Sequence, residues 1–179
     1  MSHPDIVEVV LTQEQLEERV QQLGSQISAD YAGKELVVVC ILRGGAIFAT
    51  DLVRAINLPL ELDFMAVSSY GDSATSSGRV RILKDLASSI EGKHVIIAED
   101  ILDTGLTLSH LMALLQHRNP ASIEIAALLK KQGSQKVDIS CKYVGFDCPD
   151  AFIVGYGLDY AERYRNLPYI GVLDPKVYA

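Results

Sequence analysis

Apolar positions along the chain switch repeatedly between two periods. Residues 6–11 (Ile-Val-Glu-Val-Val-Leu) are short and β-branched and read as a strand. Leu16, Val20, Leu23 and Ile27 then recur at helical spacing, which predicts an amphipathic helix over 13–30. Thr12 stands before it as an N-cap, and Gln15 completes a capping box. Residues 36–42 (Leu-Val-Val-Val-Cys-Ile-Leu) are apolar throughout, the pattern of a strand covered on both faces. Arg43-Gly44-Gly45 interrupts the run, and helical spacing returns over 46–56. Residues 58–69 read as a strand, and 79–84 alternate like a half-exposed one. A buried strand at 94–98, a helix at 106–117 that stops before Pro120, and a strand at 122–129 follow. Short strand candidates at 142–146, 151–155 and 169–173 close the chain.

This alternation predicts an α/β fold with a mostly parallel twisted sheet flanked by helices. Nothing in residues 1–179 divides the chain by repeat, low complexity or linker, and the length suits about one domain. Between the strands at 58–69 and 79–84 lies a small, polar stretch, longer than the roughly two to five residues of an ordinary hairpin.

Composition narrows the function classes. With 49% apolar and 22% charged residues the chain is neither disordered nor fibrous, and its size supports a core without metal or disulfide. Sixteen basic against 23 acidic residues give a net charge of −7. That disfavours nucleic acid or an anionic membrane as partner and leaves a small anionic ligand open. Three cysteines, an odd count, together with no leader-like start and no apolar run of ~18 residues, predict a reduced cytoplasmic protein. Cys141 and Cys148 have no second pair beside them, so no zinc site is expected.

The segment with most chemistry is 95–107. An apolar strand runs into Glu99 and Asp100, and Asp103-Thr104-Gly105-Leu106-Thr107 opens the next helix. Ligands of open α/β sheets bind beyond the carboxyl ends of the strands. Helix N-termini offer free N–H groups to phosphate. The loop suits a phosphate, and the acid pair suits sugar hydroxyls or a hydrated magnesium ion. Gly-Lys-Ser/Thr of a Walker A loop is absent, as is Gly-x-Gly-x-x-Gly. For Glu-Asp alone, a solvated strand end beside a helix cap is the better explanation; the apolar strand before it and Asp-Thr-Gly after it reverse that. Arg43-Gly44-Gly45 suits a diphosphate or a plain turn with a surface arginine.

The strand, the two acids, two apolar residues and Asp-Thr-Gly resemble the phosphoribosyl-pyrophosphate motif of the type I phosphoribosyltransferases. The resemblance covers about residues 7–172 and is greatest to the members that act on 6-oxopurines. It implies Mg2+-dependent transfer of 5-phosphoribosyl from 5-phosphoribosyl 1-pyrophosphate to N9 of hypoxanthine, and of guanine, in purine salvage. By the same resemblance Arg43, Gly44, Arg165, Ser69 and Tyr70 contact pyrophosphate, with a cis peptide at Leu42–Arg43. Glu99, Asp100 and residues 103–107 hold the ribose and its 5′-phosphate, and Asp103 takes the purine N7 proton. Lys131, Phe152, Ile153 and Asp159 surround the purine, with Lys131 on the 6-oxo group and Phe152 stacked on the ring. Glu99, Asp100 and Asp159 are the implied metal ligands.

The resemblance also implies a lid loop at about 69–79, and a small hood built from the N-terminal segment and about 142–179. It implies a homodimer or homotetramer with small-molecule substrates. Two other readings remain at this point. One is a regulatory relative that binds the sugar phosphate and controls nucleic acid, which the net charge of −7 disfavours. The other is a xanthine-preferring or pyrimidine-using relative, which Lys131 and Phe152 do not fully separate.

Overall fold

The computed structural model describes residues 2–69 and 80–179, with Ser69 described in its backbone only. Its central strand is β2 (Leu36–Leu42), whose apolar run is explained by what covers it. Leu36, Val38 and Cys40 face one core with Leu16, Leu23 and Ile27 of helix α1 (Gln13–Asp30) and Phe48 and Leu52 of α2 (Ala46–Ala55). Val37, Val39 and Ile41 face the other core, with Leu108, Leu111 and Leu115 of α3 (Leu106–Gln116). Side chains alternate across a strand, so a strand packed by helices on both faces must be apolar at every position.

Parallel neighbours of β2 are β3 (Leu60–Ser69) on one side and β5 (His94–Leu102) on the other. The sheet continues through β6 (Ser122–Lys130) and β7 (Tyr143–Asp147), both parallel. Antiparallel β4 (Val80–Lys84) forms the other edge, giving the order β4-β3-β2-β5-β6-β7. The chain leaves β2 toward β3 and later returns to β2's opposite side with β5. This reversal of direction is the switch point at which open α/β sheets carry their ligands.

A second sheet joins β1 (Ile6–Leu11), β9 (Ile170–Leu173) and β8 (Ile153–Val154), all antiparallel. It packs its own small core of Ile6, Val154, Tyr164 and Leu173. A short helix, α4 (Pro175–Tyr178), ends the chain, capped by the Asp174 carboxylate accepting from Lys176 N–H at 2.9 Å. The capping box at Thr12 and Gln15 is present.

Two expectations move. The strand expected at 94–98 runs on to Leu102 and contains the acid pair. The expected hood boundary near 142 also shifts, because β7 pairs with β6 in the large sheet and only β8 and β9 join β1. The expected lid, with Tyr70, lies outside the described residues. Among the described residues no helix is long and apolar enough to cross a membrane.

Candidate active site

β5 outruns its neighbour. Its pairing with β2 ends at Cys40–Ala98, whereas its pairing with β6 continues through Glu99 and Ile101 to Leu102. The acids therefore stand where one side of the strand has lost its partner and an opening remains. Gly44 lies against the acid pair. A Cβ on it would fall in the place of the Asp100 carboxylate, so glycine lets the turn after β2 lie against that acid without moving it. The Leu42–Arg43 peptide is cis.

Burial and the adjacent Asp100 carboxylate push the Glu99 carboxyl well above the usual carboxylate range. The Asp100 carboxylate accepts from the Ile101 N–H at 2.7 Å. Cys40, buried on β2 close to both acids, has its thiol pushed up to about 11.

Beyond β5 the chain turns at Gly105 in the left-handed region (φ 78°) and enters α3 at Leu106. A cavity of about 250 Å³ opens there, lined by Glu99, Asp103, Thr104, Gly105 and Thr107 among others. One cavity thus gathers one acid of the pair, Asp103 and the hydroxyl-bearing loop. Leu106 contributes the first turn of α3, and its N–H lies 3.4 Å from Thr104 Oγ1.

Lys131 follows β6, with its N–H donating to Leu102 O at 2.9 Å. Its ammonium lies 3.8 Å from the Asp103 carboxylate. Gln135, which no motif in the sequence marks, spans this junction. Its side-chain amide donates to Asp103 O at 3.0 Å and Lys131 O at 2.8 Å.

Phe152 precedes β8 and is 42% exposed. Tyr178 stacks on it, with ring centroids 4.6 Å apart, and Tyr160 meets it edge-on at 5.7 Å. Ile153 lies in β8 against the larger core. Arg165 closes a loop: it donates to Gly157 O at 2.7 Å and lies 3.3 Å from Asp159. Glu162 joins this group and pairs with Arg43 at 2.8 Å. The loop sits close on the turn after β2, since a Cβ on Gly157 would meet Gly44 O.

The three expected metal ligands are not gathered into one cage. Asp159 is engaged with Arg165 and the Glu162 N–H, apart from the Glu99–Asp100 pair. Among the described residues no group of three or more His, Cys, Asp or Glu side chains is placed to hold a metal. Magnesium keeps several waters and takes one or two carboxylates plus substrate phosphates. Separate carboxylate faces, one of them a half-buried adjacent pair, fit that mode and do not fit an all-protein site. The side-chain surroundings of Ser69, and all of Tyr70, lie outside the described residues.

A sheet switch point, an acid pair on the longer strand and a hydroxyl-rich turn at a helix start form a constellation that the family comparison matches: residues 7–161 fit the phosphoribosyl transferase domain family, and the chain belongs to it. Among relatives, it is 51% identical over 178 residues to the hypoxanthine-guanine phosphoribosyltransferase of Bacillus subtilis, covering 99% of this chain and 98% of that protein. The crystal structure of a hypoxanthine phosphoribosyltransferase from Staphylococcus aureus superposes with a TM-score of 0.96 at 54% identity, covering 99% of this chain and 96% of that one. The bifunctional protein TilS/HprT of Listeria innocua is 49% identical over 177 residues. This chain spans only 27% of that protein's length.

Proposed function

We propose that the protein transfers phosphoribose from 5-phosphoribosyl 1-pyrophosphate to N9 of hypoxanthine or guanine, releasing pyrophosphate and forming the corresponding nucleotide. The observation that carries this reading is the 3.8 Å approach of Lys131 to Asp103 beside a cavity lined by the acid and hydroxyl groups. A 6-oxopurine presents an acceptor, O6, and a donor, N7–H, at neighbouring positions on one edge. An ammonium beside a carboxylate complements both. The ammonium has donors only, so it satisfies a 6-oxo group and leaves the 6-amino group of adenine without an acceptor.

In this reading the loop 103–107 binds the 5′-phosphate through N–H and hydroxyl donors. Glu99 and Asp100 orient the ribose hydroxyls, and Arg43 and Arg165 bind the pyrophosphate. N9 attacks C1′ as the bond from C1′ to the pyrophosphate oxygen breaks. Asp103 accepts the N7 proton, relieving the positive charge that would build on the purine. Phe152 stacks on the ring. Magnesium, when bound through water at the Glu99–Asp100 pair or Asp159, would neutralise the departing pyrophosphate. A homodimer or homotetramer and a cytoplasmic setting belong to this proposal and follow from the family.

Hypoxanthine, guanine, xanthine and adenine, each supplied with the sugar pyrophosphate and magnesium and followed by ultraviolet difference absorbance, test it. Turnover of the first two and none of adenine is expected. Turnover of adenine alone, or of no purine, contradicts it.

A further inference from the structure

Glu162 has its carboxylate set between two guanidinium groups that reach it from different parts of the chain. Oε2 accepts from Arg43 Nη1 at 2.8 Å, and Oε1 lies 3.4 Å from Arg165 Nη2. One oxygen serves each arginine, as two oxygens of a bound phosphate would. The backbone is bent to present it: Ala161 and Glu162 have φ of 50° and 64°, in the left-handed region that residues with side chains seldom occupy. The Asp159 carboxylate holds this bend by accepting from the Glu162 N–H at 2.9 Å.

The two arginines differ in how firmly they are held. Arg165 is anchored by Gly157 O and Asp159, and its buried Nε–H has no acceptor among the described residues. A buried donor without a protein acceptor is uncommon. Arg43 is 72% exposed at its side chain and Glu162 55%. An ion pair that open to water is weak and easily exchanged.

We propose that Glu162 is an internal stand-in for pyrophosphate. In the unliganded protein its carboxylate keeps Arg43 and Arg165 aimed at one point. Incoming pyrophosphate displaces it and takes over both guanidinium groups. On the product side the carboxylate competes for the same arginines and so favours departure of pyrophosphate. This role rests on the reading of Arg43 and Arg165 as pyrophosphate contacts.

Isothermal titration with inorganic pyrophosphate and magnesium tests it, using the wild type, Glu162→Gln, Arg43→Ala and the double variant. Glu162→Gln is expected to bind pyrophosphate about 2- to 5-fold more tightly, the scale of an exposed ion pair removed from competition. In the Arg43→Ala background the same change should tighten binding less, because only the longer contact to Arg165 remains to be released. Equal tightening in both backgrounds would mean simple charge repulsion and overturn the stand-in, as would unchanged or weaker binding by Glu162→Gln. If Arg43→Ala abolishes binding, the comparison of Glu162→Gln with the wild type decides: tighter binding supports the stand-in and any other result overturns it. Normal wild-type turnover with unaltered Glu162→Gln binding removes this inference only. Absence of pyrophosphate binding in every form removes the reading of the arginines as well.

Discussion

Asp103 carries the chemistry in the proposed reaction, and its surroundings fit that load. Its carboxylate lies 3.8 Å from Lys131 and is 52% exposed, so it is free to take a proton from a bound purine. Asp103→Asn keeps the shape and removes the base. Steady-state kinetics should show kcat lowered about 10²- to 10⁴-fold with nucleotide binding retained. Near-normal kcat would take Asp103 out of the mechanism. Glu99 poses the opposite case, a buried carboxyl that resists ionisation. Its proton is held more tightly in the folded chain than in the unfolded one. Stability is therefore lost as pH rises from the ordinary carboxylate range through the raised folded value. Glu99→Gln should raise the Tm of the unliganded protein near neutral pH, and the gain should shrink toward pH ~4. At this size each kcal/mol is about 2–4 °C. A Tm difference that does not change with pH would show that Glu99 is not strained by its charge.

Two elements shape the site from either side. In the turn after β2, glycine at 44 leaves to the Asp100 carboxylate the space a side chain would fill. Gly44→Ala should push that acid aside, and a displacement on the order of 1 Å is worth about 10²-fold in kcat/KM. Unimpaired kcat/KM would show that the Asp100 position does not matter. At the other end α4, tied down where Asp174 N–H donates to Asp5 O at 2.8 Å, brings Tyr178 onto one face of Phe152. Tyr178→Ala should raise the KM for hypoxanthine about 2- to 10-fold, the worth of an aromatic pair, and leave that for the sugar pyrophosphate unchanged. Tyr178→Phe should restore it. Elements of strong period were legible in the sequence, as α1 with Thr12 and Gln15 and the all-apolar β2 show. The extension of β5 to Leu102 was not, because acids at 99 and 100 read as a strand end. They are tolerated since β2 has already turned away. Helix α4 is a single turn held by Asp174 and by packing, which leaves no period to read.

For the whole molecule, the sheet order explains why distant segments meet. The reversal at β2 brings the Arg43 turn beside the Asp100 strand, and the 155–165 loop settles on that turn at Gly157. The acid-loop motif was readable because its residues are contiguous. Its approach to Lys131 was legible only through resemblance, since 28 positions separate Asp103 and Lys131 in the chain. The engagement of Asp159, Glu162 and Arg165 with one another, and the support from Gln135, depend on side-chain placement that no spacing encodes. The small sheet of β1, β8 and β9 was likewise beyond a pattern reading, because it pairs the two ends of the chain. At this scale the proposal is that a single site joins an activated ribose to a 6-oxopurine. Mass spectrometry of the wild-type reaction with hypoxanthine, run beside a pyrophosphate assay, checks it without any variant. One nucleoside monophosphate should form for each pyrophosphate released, at the expense of both substrates. Pyrophosphate released without nucleotide, or hypoxanthine left intact beside the unconsumed donor, would contradict it.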